Sequence, residues 1–332
     1  MNVAILGAGA MGQTHARAFA KLPDVKIVGI SSRTVQKAQA LALEVNAEAT
    51  TDDMALATDP RVDAVSNTLP THLHKKFTVA ALNAGKHVLL EKPFALTLAG
   101  CDAMMRAQKK SKRVLMVAHV LRFWAEYEAL VELVQSGALG KPRSATAARL
   151  ARRAREFTWF RDPKLSGGAV MDLMIHDFDM LNLLFGAPQT IFARGRKSKY
   201  GAWDHAQATI EYRSASAIVQ GSVLMPETFP FTMKLNVQCE NGAVEYTFRA
   251  GGATVYEQGE ISLRVFTPEK TYTLDCSPHN AYEKQIAYFV DCVRQGKQPL
   301  HGTPAQARRA IALSLAARKA LETKRIVRVR DT

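Results

Sequence analysis

The chain has 332 residues, of which 47% are hydrophobic, and this length is sufficient for two domains with substantial cores. Its net charge of +14 is divided among three separate basic runs (residues 109–113, 152–155 and 194–197) without any recognised nucleic-acid-binding motif. We therefore exclude a nucleic-acid partner and attribute the charge to solvated surfaces and to a positive field that attracts an anionic cofactor or substrate.

No apolar run approaches the roughly 18–20 residues that cross a membrane, and a strand pattern starts at residue 2, so we expect no membrane partner and no leader peptide. The four cysteines are far apart and form no C-x-x-C pair. Thiols in this arrangement are typical of a reducing compartment, so we expect a cytoplasmic protein with neither disulfides nor a metal site.

The first 120 residues alternate between strand and helix patterns. Strands are predicted over residues 2–6, 26–30, 64–67, 87–90 and 114–118, and helices over 11–22, 35–45, 72–84 and 96–110. Because this alternation gives parallel strands with right-handed crossovers, we predict an α/β, Rossmann-type, doubly wound parallel sheet as a first domain over residues 1–120.

Residues 121–332 are richer in strand patterns. Strands are predicted over 143–152, 190–198, 205–213, 216–224, 232–238, 243–249, 252–258, 262–266, 271–276 and 325–330, and helices over 126–135, 168–185, 281–295 and 304–323. We predict an α+β C-terminal domain with a large, mostly antiparallel open sheet, whose last helices pack back near the first domain. Such a sheet leaves one face for another subunit, so we expect a homodimer or homotetramer.

A glycine-rich turn, GAGAMG at residues 7–12, follows the first predicted strand. Gly7 permits the tight turn, Gly9 lets a diphosphate approach the backbone, and Gly12 lets the next helix pack closely on the sheet. The helix N-terminus offers N–H groups and partial positive charge to the phosphates. Residues 1–120 are therefore predicted to be a dinucleotide-binding domain, and the cofactor-binding residues predicted here are Gly7, Gly9, Ala10, Met11 and Gly12.

Ser32 and Arg33 follow the second predicted strand, at a position where an Asp or Glu usually binds the ribose 2′-hydroxyl. A hydroxyl and a guanidinium suit a 2′-phosphate, whereas a carboxylate would repel it. We therefore predict NADP(H) as the preferred cofactor, with NAD(H) possible. The alternative is that Arg33 is a solvated surface charge and the protein accepts either cofactor.

Two further segments carry chemistry. Lys92, in Glu91-Lys92-Pro93, directly follows an apolar strand and so lies at the carboxyl edge of the sheet, where open α/β sheets bind ligands. Asp172 and His176 follow a diglycine and are four residues apart, which predicts a shared helix face.

These motifs, in this order, resemble those of the Gfo/Idh/MocA oxidoreductases, the group of glucose–fructose oxidoreductase and inositol dehydrogenase. Residues 70–74 (PTHLH) and the order of the two domains resemble the family as well. The resemblance implies NAD(P)-dependent hydride transfer between the nicotinamide and a secondary alcohol or carbonyl of a sugar, a polyol or a related small molecule. It also implies that Pro70, His74, Glu91 and Lys92 contact the cofactor, with the alternative that His74 only occupies the first turn of a helix.

The resemblance further implies three catalytic residues that also bind substrate. Histidine has an unperturbed pKa near 6.5, so the residue type of His176 suits a general base at neutral pH. Asp172 would hold the substrate hydroxyl, and Lys92 would stabilise the oxygen as its proton leaves. His15, His87 and His301 we interpret as structural.

The prediction of three further substrate-binding residues rests only on their positions in the sequence. Arg122 follows the fifth strand, and Trp159 and Arg161 precede the diglycine, where an aromatic face suits a sugar ring. The family often has proline at the position of Ala125, and this departure leaves the pose of Arg122 open, while Trp159 could equally be a core residue.

Two alternative functions remain at this point. The first is a non-catalytic nucleotide-binding sensor or co-regulator, against which the presence of Lys92, Asp172 and His176 argues. The second is a glycoside-cleaving enzyme that oxidises and re-reduces its sugar with a tightly held cofactor.

Overall fold

The computed structural model describes residues 1–153, 158–255 and 257–330. By their internal contacts the residues divide into unit 1 (Met1–Phe123 and His279–Arg308) and unit 2 (Trp124–Pro278 and Arg309–Thr332). The sequence placed the division between residues 120 and 121; along the chain it falls after Phe123, and a C-terminal segment belongs to unit 1. Residues 154 and 155 of a basic run, and residue 256 within a predicted strand, lie outside the described residues.

Unit 1 is built on a parallel sheet of six strands in the order β3-β2-β1-β4-β5-β6. Its strands are β1 (Asn2–Leu6), β2 (Lys26–Ser31), β3 (Glu48–Thr50), β4 (Ala64–Asn67), β5 (His87–Glu91) and β6 (Leu115–Ala118). Its helices are α1 (Ala10–Ala20), α2 (Val35–Glu44), α3 (Asp53–Thr58), α4 (His74–Asn83), α5 (Leu98–Ser111) and α10 (Ala281–Arg294).

This arrangement confirms the predicted Rossmann-type sheet. Residues 3–6 of β1 are fully buried, as expected of a central parallel strand covered on both faces. The strand order reverses beside β1, and ligands of open α/β sheets bind at the carboxyl ends of the strands at such a point. The short elements β3 and α3 were not predicted.

Unit 2 is built on a mixed sheet of nine strands in the order β14-β13-β12-β11-β7-β10-β9-β8-β15. They are β7 (Pro142–Leu150), β8 (Thr190–Lys197), β9 (Trp203–Glu211), β10 (Ser216–Ser222), β11 (Thr232–Cys239), β12 (Gly242–Arg249), β13 (Glu260–Phe266), β14 (Thr271–Thr273) and β15 (Val327–Arg328). The remaining helices are α6 (Ala125–Gln135), α7 (Pro163–Ser166), α8 (Ala169–Asp172), α9 (Ile175–Phe185) and α11 (Pro304–Thr323), the last of which starts in unit 1.

The predicted mostly antiparallel character of this sheet is confirmed, since β7 and β10 pair in parallel and the other pairs are antiparallel. The strand predicted over 252–258 is wrong for the part that the structure describes. There the Glu257 carboxylate accepts hydrogen bonds from the N–H and hydroxyl of Thr254 at 2.9 and 3.1 Å, which closes a turn instead.

The single helix predicted over 168–185 is also wrong. Leu173 and Met174 form a turn between α8 and α9, and the Met174 N–H bonds to the Ala169 carbonyl, five residues back. Gly221 of β10 leaves the room that Met174 occupies. Asp172 therefore ends one helix and His176 lies in the first turn of the next, so the two do not share a face of one regular helix.

No helix among the described residues is long and apolar enough to span a membrane.

Candidate active site

The glycine turn of unit 1 has the shape that a diphosphate requires. Gly7 adopts a φ of +99°, and a Cβ on Gly12 would lie 1.9 Å from the Gly7 carbonyl oxygen, so the turn and α1 approach each other as closely as glycine allows. Gly9 is exposed and precedes α1, and a Cβ placed on it would meet no atom within 4 Å. The turn thus offers an open cradle at a helix N-terminus, which fits the diphosphate of a dinucleotide.

The carboxyl end of β2 combines a cation with a carboxylate. Arg33 is exposed, and the half-buried Ser32 accepts a hydrogen bond from the Thr34 N–H. The buried hydroxyl of Ser31 donates to Asp53 at 2.5 Å. Sequence reasoning missed Asp53 because this acidic residue comes from the start of α3, beyond an unpredicted strand, and its only signal is a consecutive Asp pair before a short apolar run.

Lys92 lies immediately after β5, at the carboxyl edge, and its side chain is half-buried. It precedes a cis peptide bond to Pro93. Glu91, the last residue of β5, is 6% exposed, and one of its oxygens accepts the Lys92 N–H at 3.0 Å. The Glu91 side chain is therefore folded back onto the backbone of Lys92.

The His74 side chain contacts the loop that contains Lys92 and Pro93. Its ring is 1% exposed, with Nδ1 2.8 Å from the Pro93 carbonyl oxygen and Nε2 2.8 Å from that of Leu69. Burial lowers the pKa of His74, while the two carbonyls act in the opposite direction. Because both ring nitrogens face backbone, His74 holds the loops around Pro70 and Pro93 together, and its contact with the cofactor stays a prediction.

A buried hydrogen-bond network, which the sequence did not reveal, holds the Glu91 carboxylate in place. His15 of α1 is fully buried, with Nδ1 2.8 Å from the Ser66 hydroxyl and Nε2 3.1 Å from the Glu91 carboxylate. Burial disfavours ionisation of Glu91, but the hydrogen bond from His15 and the positive charge of Lys92 act against it, and the pKa of the Glu91 carboxyl is lowered.

In unit 2, Asp172 and His176 are half-buried, at the end of α8 and the start of α9. The preceding Gly167 and Gly168 have φ values of +79° and +71°, and a Cβ on Gly168 would lie 3.2 Å from that of Ala202. The diglycine thus lets the chain pass close to the start of β9 and brings α8 against the sheet.

A buried ion pair fixes α9 beside His176. Asp177 is 2% exposed, and its carboxylate lies 3.0 Å from the guanidinium of Arg149 on β7. Arg149 also lies 3.4 Å from the Tyr127 hydroxyl of α6. The first turn of α9, which carries His176, is therefore attached to both the sheet and a neighbouring helix.

The remaining predicted substrate residues belong to different units. Arg122, in unit 1, lies in a 3-10 turn (Val120–Phe123) and is 5% exposed. In unit 2, Trp159 stacks on Phe160 with ring centroids 4.2 Å apart, and the Arg161 guanidinium lies 5.6 Å from the centre of the Tyr200 ring. Trp159 and Arg161 are half-buried, so their part in substrate binding stays a prediction.

Comparisons with known proteins agree with this architecture. A family model described as an oxidoreductase family with an NAD-binding Rossmann fold matches residues 1–119, and a GFO/IDH/MocA C-terminal domain model matches residues 127–245. The myo-inositol 2-dehydrogenase of Thermotoga maritima is 27% identical over 100% of this chain and 99% of that protein. The D-glucoside 3-dehydrogenase of Escherichia coli is 30% identical over 77% of each. The aldose-aldose oxidoreductase of Caulobacter crescentus has the same fold, with a TM-score of 0.86 at 24% identity over 99% of both chains.

Proposed function

Because this chain belongs to the Gfo/Idh/MocA family of NAD-binding oxidoreductases, we propose that it transfers a hydride between a nicotinamide and a CH–OH or carbonyl carbon of a sugar or polyol. The observation that carries the proposal is Lys92 at the carboxyl edge of a sheet whose glycine turn forms an open dinucleotide cradle. The inositol and glucoside dehydrogenases among its relatives support a polyhydroxylated substrate.

Three residues of this chain would transfer the proton of the substrate hydroxyl and stabilise its oxygen. His176 takes the proton of the substrate hydroxyl during oxidation and returns it during reduction. Asp172 accepts a hydrogen bond that orients this hydroxyl, and the Lys92 ammonium donates to the oxygen as negative charge develops. When bound, the nicotinamide supplies the carbon that accepts or donates the hydride.

We propose NADP(H) as the preferred cofactor, with NAD(H) as the weaker one. Support comes from Arg33, which is exposed at the end of β2, and from the hydroxyl of Ser32 beside it. The Asp53 carboxylate at this end is engaged by the Ser31 hydroxyl. A guanidinium favours a 2′-phosphate by charge-assisted hydrogen bonds, whereas a ribose hydroxyl gains less from it.

A substrate screen tests the proposed activity. The purified protein is mixed with NADP⁺ or NAD⁺ and with inositols, aldoses, sugar acids and glycosides, and the absorbance of the reduced nicotinamide is followed. Products are also analysed, because glycoside cleavage without net cofactor reduction would replace the proposed reaction. Cofactor binding without turnover on any member of the panel would favour a sensor, and absence of binding would contradict both.

Two variants test the residue roles. We expect Lys92→Ala and His176→Ala still to bind the cofactor but to lose about 10²-fold or more in turnover. Binding is measured by nicotinamide fluorescence and turnover on the substrate found in the screen. Near-normal turnover in both variants would show that the assignment is wrong.

We further propose that the protein is a cytoplasmic homodimer or homotetramer that pairs through the unit 2 sheet. The cysteines Cys101, Cys239, Cys276 and Cys292 are free thiols, which suits a reducing compartment. The sheet face opposite α6, α8 and α9 carries Ile218, an exposed β-branched residue on a central strand, and this favours another subunit there.

A further inference from the structure

We propose that His15 is a positioning residue that, backed by Ser66, holds the Glu91 carboxylate so that its negative charge favours binding of the oxidised nicotinamide over the reduced one. The inference deepens the proposed function and rests on it. It concerns a histidine far from the reacting atoms in sequence, which sequence reasoning assigned to a structural role.

The bonding partners fix the protonation of the ring. Glu91 is held in its ionised form and can only accept a hydrogen bond, so Nε2 of His15 must carry a proton. In the neutral ring, Nδ1 is then left to accept from the Ser66 hydroxyl at 2.8 Å. The carboxylate thereby selects the tautomer, and the Ser66 hydroxyl satisfies the remaining ring nitrogen and fixes the orientation of the ring, in the way that second-shell partners orient metal-bound histidines.

Both oxygens of Glu91 are thereby occupied. One bonds to His15 and the other to the Lys92 N–H. A carboxylate that is 6% exposed loses much of its hydration, and each remaining donor therefore carries more of its stabilisation. Without His15 the carboxylate would take up a proton or rotate towards solvent.

Serine, histidine and a carboxylate in a row also occur in hydrolases, but Ser66 lies within β4 and is fully buried, as is His15. No substrate can reach this hydroxyl, so nucleophilic catalysis is excluded. What the network does is connect α1, which follows the glycine turn, with the end of β5, which precedes Lys92.

The placement of this charge has a consequence for the cofactor. The oxidised nicotinamide ring is positively charged and the reduced ring is neutral. A fixed carboxylate at the edge where the cofactor is proposed to bind therefore stabilises the oxidised form selectively. A residue that only supported the fold would weaken the binding of both forms alike.

The test compares the dissociation constants of oxidised and reduced dinucleotide by calorimetry and fluorescence. We expect His15→Phe to raise the Kd of the oxidised form about tenfold relative to that of the reduced form. Glu91→Gln, which removes only the charge, should give the same shift. His15→Gln, whose amide nitrogen can replace Nε2, should keep the ratio within about threefold of the wild type.

His87→Phe is the matched control. His87 is at the opposite end of the same strand, and its Nδ1 accepts the Val114 N–H at 3.1 Å. Its loss should lower the unfolding temperature without changing the ratio of the two dissociation constants. Thermal unfolding of every variant separates those that bind poorly because they are unfolded from those that fold.

The ¹⁵N imidazole resonances of the unliganded protein give a readout that needs no cofactor. We expect a protonated Nε2 in His15, and in Ser66→Ala a change in the resonance of Nδ1. A ring protonated only at Nδ1, or a folded His15→Phe with an unchanged Kd ratio, would overturn the role of His15. Failure of the wild type to bind either dinucleotide would instead overturn the proposed function.

Discussion

At the scale of single residues, two glycines of the same turn are needed for different reasons, one for the fold and the other for cofactor binding. Gly12 is demanded by the fold, because a Cβ there would overlap the Gly7 carbonyl oxygen, whereas Gly9 has open space around it. Gly12→Ala should therefore destabilise unit 1, by about 2 kcal/mol or more. Gly9→Ala should leave stability nearly unchanged and weaken dinucleotide binding.

Denaturant unfolding and fluorescence titration of both variants measure the two effects. If Gly9→Ala bound the cofactor as tightly as the wild type, the diphosphate would not approach the turn at this point. If Gly12→Ala were as stable as the wild type, the packing of α1 would be looser than the structure shows.

The end of β2 gives a second residue-scale prediction, concerning cofactor choice. Arg33→Ala should weaken NADPH binding about tenfold while changing NADH binding little, because only NADPH carries the 2′-phosphate. Ser32→Asp should shift the preference towards NADH by adding a carboxylate that repels this phosphate. Titration of nicotinamide fluorescence with both dinucleotides checks this, and unchanged relative affinities in both variants would show that neither residue reads the 2′ position.

Which of these residues the sequence could reveal depends on distance along the chain. The positions of Lys92 and of the glycine turn were predictable because a strand pattern directly precedes each of them, and their roles stay predictions. The partners of His15 were not, since Ser66 and Glu91 lie 51 and 76 residues away and meet it only when the sheet forms. Asp53 was missed for the same reason, because it reaches the end of β2 from another segment.

At the scale of elements, periodicity located the long helices and strands well, and tertiary packing explains the exceptions. The helix predicted over 304–323 coincides with α11, which has a continuous helical pattern. The helix predicted over 168–185 is interrupted because Met174 packs into the space beside Gly221, a contact that no local pattern contains. The three residues of β3 were too few to show a period.

The attachment of α9 to the sheet leads to an element-scale prediction. The pair of Asp177 and Arg149 is buried, so removing one partner leaves an uncompensated charge. We expect Asp177→Ala to cost about 3–5 kcal/mol of unfolding free energy. Glu48→Ala, which breaks the exposed pair with Arg61, should cost much less unfolding free energy and is the control.

Chemical denaturation followed by circular dichroism measures both variants of this comparison. If both variants lost the same unfolding free energy, the buried pair of Asp177 and Arg149 would not be what attaches α9 to the sheet. Because His176 follows Ile175 at the start of the same helix, Asp177→Ala should also lower turnover in the fraction that remains folded.

At the scale of the whole molecule, the exposed face of the unit 2 sheet forms one row of register partners across five strands. The row runs through Thr209, Ile218, Thr146, Asn236 and Glu245. A groove of 720 Å³ includes its last three members in its lining. A broad face with uncharged side chains at its centre suits self-association better than the binding of a charged partner.

Ile218, the second of these five residues, is 54% exposed, and a lysine there would place equal charges near each other where two copies meet face to face. We expect Ile218→Lys to shift the protein from a dimer or tetramer towards the monomer, as measured by sedimentation velocity over a range of concentrations. Leu43→Lys is the matched control, since Leu43 is 87% exposed on α2 in unit 1 and its replacement should leave the assembly unchanged. A monomeric wild type, or an Ile218→Lys variant that sediments as the wild type does, would contradict pairing through this face, because the added charges must separate two copies that meet there.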